Sequence, residues 1–168
     1  MKIKHILLSF IVSISSLAQA QEFKGLKEGV DYVKAPVKEA IVESSKPVVA
    51  EVFWYGCGHC FSMLPKSKAL FKKYDNKIVE VPYPAAFDNW KSGAQIYFSL
   101  EQMGVAKDMH EKVFNEIHVK QVNILKKSKE RDNFLQVNKI DVNKFNSIYD
   151  SFSVNAKIAK AKKIITDL

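Results

Sequence analysis

The stretch that most restricts what this chain can fold into runs over residues 47–65 and reads PVVAEVFWYGCGHCFSMLP. Residues 48–55 are almost continuously apolar and end at a glycine, a pattern that predicts a buried strand followed by a turn. The residues after the turn predict a helix over 58–74. A Cys-x-x-Cys motif, Cys57 to Cys60, therefore falls where a strand passes into a helix.

This position favours thiol–disulfide chemistry for an electrostatic reason. A free thiol is mostly protonated at neutral pH, and the thiolate is the nucleophile. The unpaired amides and the dipole at a helix N-terminus favour an anion, so Cys57 is predicted to be the nucleophile. His59 can add positive charge or a hydrogen bond to the same sulfur. Cys60, one helical turn further on, can close a small ring with Cys57 as the more buried, resolving thiol.

Two other uses of the motif have less support. A metal site built on Cys57, His59 and Cys60 needs further ligands. The chain has two cysteines in all, and its other histidines form no second ligand motif. A purely structural disulfide would enclose two residues and restrain little chain entropy. We therefore expect redox chemistry with no metal and no dissociable cofactor, and metal binding is kept as an alternative.

The motif and its surroundings resemble the DsbA-type thiol–disulfide oxidoreductases. That family carries Cys-x-His-Cys after an apolar strand, with an acidic residue six positions before the first cysteine. The matching residues here are Cys57, His59, Cys60 and Glu51. Gly58 departs from the pattern, because many members have proline there.

The resemblance implies a periplasmic oxidoreductase. It would donate the Cys57–Cys60 disulfide to reduced or unfolded exported polypeptides, and a DsbB-like membrane oxidoreductase would reoxidise it. Two alternatives stay open. One is a disulfide reductase or isomerase, and the other is a non-catalytic, chaperone-like binding module.

Residues around the cysteines are candidates for supporting roles. Glu51 lies inside the predicted strand, where an isolated charge is costly. It points to solvent or to a lysine, or else it is a buried carboxyl beneath Cys60 that takes the proton of the resolving thiol; the resemblance favours the second. Substrate contacts are expected beside the cysteines, with core packing as the alternative for the aromatic residues: Trp54, Tyr55, Gly58 and Phe61.

Residues 1–20 have the pattern of a secretory signal, with a basic start, an apolar core and Ala-Gln-Ala at its end. The apolar run is short for a bilayer span, which takes about 20 residues. We expect cleavage after Ala20 and export to the periplasm. The net charge of +8 comes from lysines spread along the chain, which indicates solvated helix faces rather than a nucleic-acid surface.

The remaining pattern predicts an α/β, thioredoxin-like fold with an inserted helical domain. Residues 21–86 form its first part, with a weak edge strand near Tyr32 and a strand over 77–81 that stops before Pro82. Residues 87–168 form the helical insertion and a connecting helix. The resemblance also implies C-terminal strands, a cis-proline loop and a final helix, which we expect to be missing from this chain.

Details of the helices follow from the spacing of their apolar residues. The helix after the cysteines should turn four residues inward: Met63, Leu64, Leu70 and Phe71. Later helices are predicted over 88–103, 107–118, 124–137, 142–152 and 154–167. Asp141 and Ser153 are the expected N-caps of the last two.

Overall fold

The computed structural model describes residues 25–35 and 41–167, and the predicted signal over residues 1–20 lies outside them. The chain divides into two units, residues 1–34 and 35–168. In the first unit, an isolated bridge joins Glu28 to Tyr32, and the Lys27 amide donates to the Asp31 carboxylate at 2.7 Å. The predicted edge strand near Tyr32 is therefore wrong, because the chain closes a tight local turn there.

The second unit contains a parallel pair of strands. Strand β1 (Val48–Phe53) pairs with strand β2 (Val79–Pro84), and helix α1 (Gly58–Lys73) connects them. The register places Glu51 opposite Pro82. Parallel strands need a crossover of this kind. The cysteine motif lies where the crossover begins, at the carboxyl end of β1.

Strand β2 runs through two prolines, so the prediction that it stops before Pro82 is wrong. Its hydrogen bonds to β1 come from alternate residues, beginning with Val79 N–H to the Pro47 carbonyl at 2.9 Å and ending at Ala85. Because successive residues alternate in direction, Pro82 and Pro84 fall where an N–H would point away from β1. Proline at these positions removes no hydrogen bond from the β1–β2 ladder.

Helix α1 begins directly after Cys57 and continues through Pro65. Met63 and Leu70, which were predicted to face inward, are each 45% exposed. That part of the prediction is wrong, because a different row of α1 residues is buried where α1 packs against the helix Ala106–His118. The residues in that row are buried or half-buried and are spaced by three or four: Cys60, Leu64, Ser67 and Phe71.

The secondary-structure elements described after β2 are all helices or helical turns. A short 3-10 turn, Asp88–Trp90, leads into helices α2 (Lys91–Gln102), α3 (Ala106–His118), α4 (Lys129–Val137), α5 (Val142–Tyr149) and α6 (Phe152–Thr166). Helix α2 is central, because it packs against α3, α5 and α6 and buries seven of its own residues. None of the helices in this part of the chain combines the length and apolarity needed to cross a membrane.

Some of the predicted N-caps and first residues of the helices are correct and others are wrong. Asp141 caps α5 as predicted, accepting the Lys144 amide at 3.0 Å. Helix α6 is capped by Ser151 and not by Ser153, because the Ser151 hydroxyl accepts the Val154 amide at 3.3 Å. Helix α4 begins at Lys129, five residues later than predicted. The domain boundaries at residues 20 and 86 stay predictions.

Candidate active site

A tight turn at the end of β1 places Cys57 at the start of α1. The Cys57 amide donates to the Trp54 carbonyl at 2.9 Å, which closes the turn. Cys57 has extended backbone angles, φ −88° and ψ 112°, as expected for an N-cap residue. Its Sγ accepts the Cys60 amide at 3.2 Å. The sulfur therefore takes the place that a capping oxygen usually occupies.

These contacts lower the pKa of the Cys57 thiol. Burial alone would raise it, but hydrogen bonds from the Cys60 thiol and from the Cys60 and His59 amides outweigh the burial. All three donors favour the thiolate, as the helix N-terminus was predicted to do. Their combined effect is a nucleophile that is charged at a lower pH than an ordinary thiol.

The pKa of the Cys60 thiol is shifted in the opposite direction, upward. Burial raises the pKa of the Cys60 thiol to about 11, and the hydrogen bond to Cys57 and the charges of Cys57 and Glu51 add to the effect. Both cysteines are free thiols. The two sulfurs are thus divided into a thiolate former and a thiol that holds its proton. Their roles as nucleophile and resolving thiol stay predictions.

His59 reaches the Cys57 sulfur through its backbone amide. Its side chain is exposed, and its carbonyl accepts the Ser62 hydroxyl at 2.9 Å. The structure therefore shows a contribution from the backbone at position 59. The charge of its imidazole stays a prediction.

Glu51 is half-buried on β1 and lines a cavity of about 830 Å³ between α1, β2 and α3. Lys68, Glu80 and Glu111 also line it, and Lys68 forms an ion pair with Glu111. Burial and the charge of Glu51 raise the pKa of Glu80. The charge of Glu51 also contributes to the raised pKa of Cys60. Its proton-shuttling role stays a prediction.

Trp54 lies on one side of the cysteine turn and is half-buried. Its indole stacks on Trp90 with centroids 5.1 Å apart and planes 14° apart. Trp90 in turn meets Phe87 edge to face at 5.5 Å. A Cβ atom at Gly56 would collide with the Trp54 ring, so this arrangement requires glycine there. The three aromatic residues form a partly exposed surface beside the cysteines.

Tyr55 lies on the other side and is 0% exposed. Its hydroxyl is 3.2 Å from His110 Nδ1, and its carbonyl oxygen is 2.9 Å from His118 Nε2. Phe61 stacks on the His118 ring at 5.0 Å. Of the residues expected to bind substrate, Tyr55 therefore packs in the core, Trp54 and Phe61 are partly exposed, and Gly58 is exposed at the first position of α1.

Sequence reasoning missed the residues that support the turn from other elements, namely Trp90, His110 and His118. The spacing of the two histidines in the sequence could have indicated a shared role. His110, Phe114 and His118 are spaced by four, so they share one face of α3. What that face meets depends on how α3 packs, and no local pattern gives this.

The chain matches known proteins over most of its length. Thiol:disulfide interchange protein DsbA of Pseudomonas aeruginosa is 34% identical over 166 residues, which cover 96% of this chain and 77% of that protein. The protein of the same name from Azotobacter vinelandii is 32% identical over 155 residues, 92% of this chain and 72% of that protein. No protein-family model matches the chain.

Solved structures of proteins named DsbA or DsbA1 are also similar to this chain. The crystal structure of Pseudomonas aeruginosa DsbA superposes with a TM-score of 0.68 at 34% identity, over 78% of this chain and 68% of that one. Reduced DsbA1 from Neisseria meningitidis gives 0.69 at 16% identity, over 85% and 76% of the two chains, and so bears on the fold alone. The predicted thioredoxin-like fold with a helical insertion is confirmed.

The alignments with these two curated relatives cover more than nine tenths of the chain at 32–34% identity. The chain therefore belongs to the DsbA family of thiol:disulfide interchange proteins.

Proposed function

We propose that this chain oxidises cysteine pairs in exported polypeptides by donating a Cys57–Cys60 disulfide. The observation that carries the proposal is the opposite treatment of the two sulfurs. The pKa of Cys57 is lowered by hydrogen bonds at the start of α1, whereas that of Cys60 is raised to about 11. A stabilised Cys57 thiolate makes the reduced form more stable and the disulfide a stronger oxidant.

The reaction starts from the disulfide form. A substrate thiolate attacks Cys57 Sγ, the Cys57–Cys60 bond breaks, and Cys60 leaves as a thiolate that takes up a proton because of its high pKa. A second substrate thiolate then attacks the substrate sulfur of the mixed disulfide, and Cys57 leaves. Two electrons pass from the substrate dithiol to the cysteine pair. The low pKa of Cys57 makes it the better leaving group in this last step.

Neighbouring residues have proposed roles in these steps. Glu51 passes a proton to and from Cys60, supported by its position on β1 and its electrostatic effect on that thiol. His59 adds positive charge near Cys57 from its exposed side chain. Substrate chains contact the partly exposed surface on either side of Cys57, formed by Trp54, Gly58 and Phe61.

The partners and location belong to the same proposal. The pair must be reoxidised after each turnover, and a DsbB-like membrane oxidoreductase is the proposed oxidant. The predicted signal over residues 1–20 would deliver the chain to the periplasm, where disulfides persist.

Two assays test the function. The purified oxidised chain should restore activity to reduced, unfolded RNase by forming its disulfides, and Cys57→Ser should abolish this. Cys60→Ser has no disulfide to donate and should also be inactive as an oxidant. With a disulfide-bonded substrate, however, its Cys57 thiolate should displace one substrate thiolate and accumulate a mixed disulfide, because Cys60 is not there to resolve it. Chelators should have no effect. Rapid insulin reduction without RNase oxidation would instead indicate a reductase, and activity that survives in Cys57→Ser would refute the proposed nucleophile.

A further inference from the structure

One face of α3 packs against the residues on both sides of the cysteine turn. His110, Phe114 and His118 are four residues apart and lie above one another on that face. Phe114 contacts both flanks of the turn, with its ring 5.0 Å from the Tyr55 ring and 6.3 Å from the Phe61 ring. The two histidines bond to Tyr55 from either side of this contact.

The bond from His118 is the one that reaches the backbone of the turn. Its Nε2 lies 2.9 Å from the Tyr55 carbonyl oxygen. A carbonyl oxygen only accepts hydrogen bonds, so Nε2 must carry the proton and donate it. Tyr55 is completely buried, and an unpaired buried carbonyl is unfavourable. This bond therefore fixes the peptide group two residues before Cys57.

The same imidazole also holds the other end of the motif. It stacks on the Phe61 ring with centroids 5.0 Å apart and planes 11° apart, and Phe61 directly follows Cys60. One side chain thus contacts the residue before Gly56 and the residue after Cys60. Between these two contacts lie the His59 and Cys60 amides that point at the Cys57 sulfur.

We propose that His118 is a positioning residue for thiol–disulfide exchange, which holds the cysteine turn in the geometry that directs the His59 and Cys60 amides at Cys57 Sγ. The proposal rests on the function proposed above. His118 touches neither sulfur in this role and acts through Tyr55 and Phe61. Without its hydrogen bond, the peptide after Tyr55 is less restrained, the two amides are less well aligned, and the thiolate is less stable.

The test compares two substitutions at the same position. His118→Phe keeps a ring against Phe61 but removes the donor, whereas His118→Gln keeps a donor near the position of Nε2. We expect His118→Phe to reduce the Cys57 thiolate-to-thiol ratio at fixed pH about 3- to 10-fold, which is a rise of about 0.5 to 1 in pKa. The equilibrium constant with glutathione should shift in the same sense. His118→Gln should restore most of both.

Val113→Ala is the matched control for a loosened helix. Val113 is fully buried in α3, so its truncation lowers stability without removing the Tyr55 bond. The Cys57 pKa, measured from the pH dependence of iodoacetamide alkylation, should not change in this variant. An unchanged pKa in His118→Phe, failure of His118→Gln to restore it, or an equal shift in Val113→Ala would each overturn the proposal.

The unmodified chain gives a second measurement that does not depend on the folding of any variant. Nitrogen-15 imidazole shifts should show His118 with its proton on Nε2, and this proton should exchange slowly. A neutral ring with the proton on Nδ1 would overturn the proposal. These readouts need no polypeptide substrate, so they stay informative if the chain fails to oxidise RNase. Conversely, RNase oxidation with an unchanged Cys57 pKa in His118→Phe would overturn the positioning role alone.

Discussion

Helices α1 and α4 begin with the same kind of side-chain cap, but the charge of interest is a thiolate at the start of α1 and a buried guanidinium in the first turn of α4. In α1 the Cys57 side chain accepts the amide three residues on, at 3.2 Å. In α4 the Ser128 hydroxyl accepts the Arg131 amide, also at 3.2 Å. The first helix stabilises an anion at its N-terminus, where the dipole favours it. The second has the cation Arg131 in its first turn, beside the acidic residues Glu130 and Asp132 that a helix N-terminus favours.

The cation is held by groups from another helix. Arg131 is 1% exposed, and its Nη2 donates to Asn146 Oδ1 at 2.9 Å. Its guanidinium lies 4.5 Å from the centre of the Tyr149 ring and 5.5 Å from that of Phe145. Nε and Nη1 have no hydrogen-bond partner among the described residues. The guanidinium is therefore enclosed by one amide oxygen and two aromatic faces, all from α5.

The Cys57 thiolate takes part in the reaction, whereas the Arg131 guanidinium has a structural role, and their surroundings differ accordingly. A thiolate that is made and consumed in each cycle must stay near the surface, and Cys57 is half-exposed. A guanidinium never loses its proton in a protein, so it can be enclosed completely and used to join α4 to α5. Perturbing the first should change chemistry more than stability, and perturbing the second should do the reverse.

The largest expected effect on stability is at Arg131. Arg131→Ala removes the contacts with both rings and leaves Asn146 without its donor, so we expect a loss of about 3 to 5 kcal/mol in unfolding free energy. Arg131→Met keeps the length of the side chain and should lose less. Denaturant unfolding of the reduced protein measures both. The alkylation pKa of Cys57 should not change, and a clear change in it would remove the distinction between the two charges.

The next effect is a dependence of stability on pH that comes from His110. Burial lowers the pKa of His110 to about 4, the charge of Glu111 opposes this shift, and the charge of Lys68 adds to it. The unfolded chain binds this proton near pH 6.5, so stability should fall as the pH drops from about 6.5 to 4 and then level off. The loss attributable to His110 is at most about 3 kcal/mol.

His110→Gln removes the titration and keeps a polar partner for the Tyr55 hydroxyl. In this variant the fall between pH 6.5 and 4 should be clearly shallower in denaturant titrations at several pH values. If the wild type and the variant lose stability in parallel, another group is responsible for the acid limb.

A smaller effect is expected at the glycine before the nucleophile. Gly56→Ala forces the Trp54 ring to move, which should lower stability by about 1 to 3 kcal/mol and also raise the Cys57 pKa, because the turn moves with the ring. Gly58→Ala is the matched control, since its Cβ would meet nothing within 4 Å. Equal results for the two variants would show that the Trp54 contact is not what fixes the turn.

The smallest effect sharpens the comparison of the two caps. Ser128→Ala removes the hydroxyl that caps α4 and should cost about 1 kcal/mol of stability, with no change in RNase oxidation. The corresponding removal of the side-chain cap in α1, Cys57→Ala, should abolish oxidation. A loss of activity in Ser128→Ala would show that α4 is coupled to the thiol site.

Much of the local structure could be predicted from the sequence. The apolar run before Gly56 predicted a strand, and the motif after it predicted a helix with Cys57 at its start. The Asp141 cap and the positions of α2, α3 and α5 followed from apolar spacing and capping chemistry. These features depend on interactions between residues a few positions apart, and such interactions are visible in a single sequence.

Other features depended on which neighbour each residue meets. The prolines of β2 are tolerated because of the edge they occupy, and Met63 is exposed because α1 buries a different row of residues. Adjacent residues Trp54 and Tyr55 diverge, one stacking on Trp90 at the surface and the other buried against α3. The roles of Glu51 and His59 in catalysis stay predictions, as does the signal over residues 1–20.

The sequence by itself determined that a thiol would cap a helix directly after a buried strand, because strand, turn and cap each rest on short-range chemistry. Only the tertiary structure decided that His118 would bond the Tyr55 carbonyl and that Arg131 would lie against the rings of α5. Those contacts join residues 63 and 18 positions apart. They form when packing brings distant elements together, which no local pattern of residues specifies.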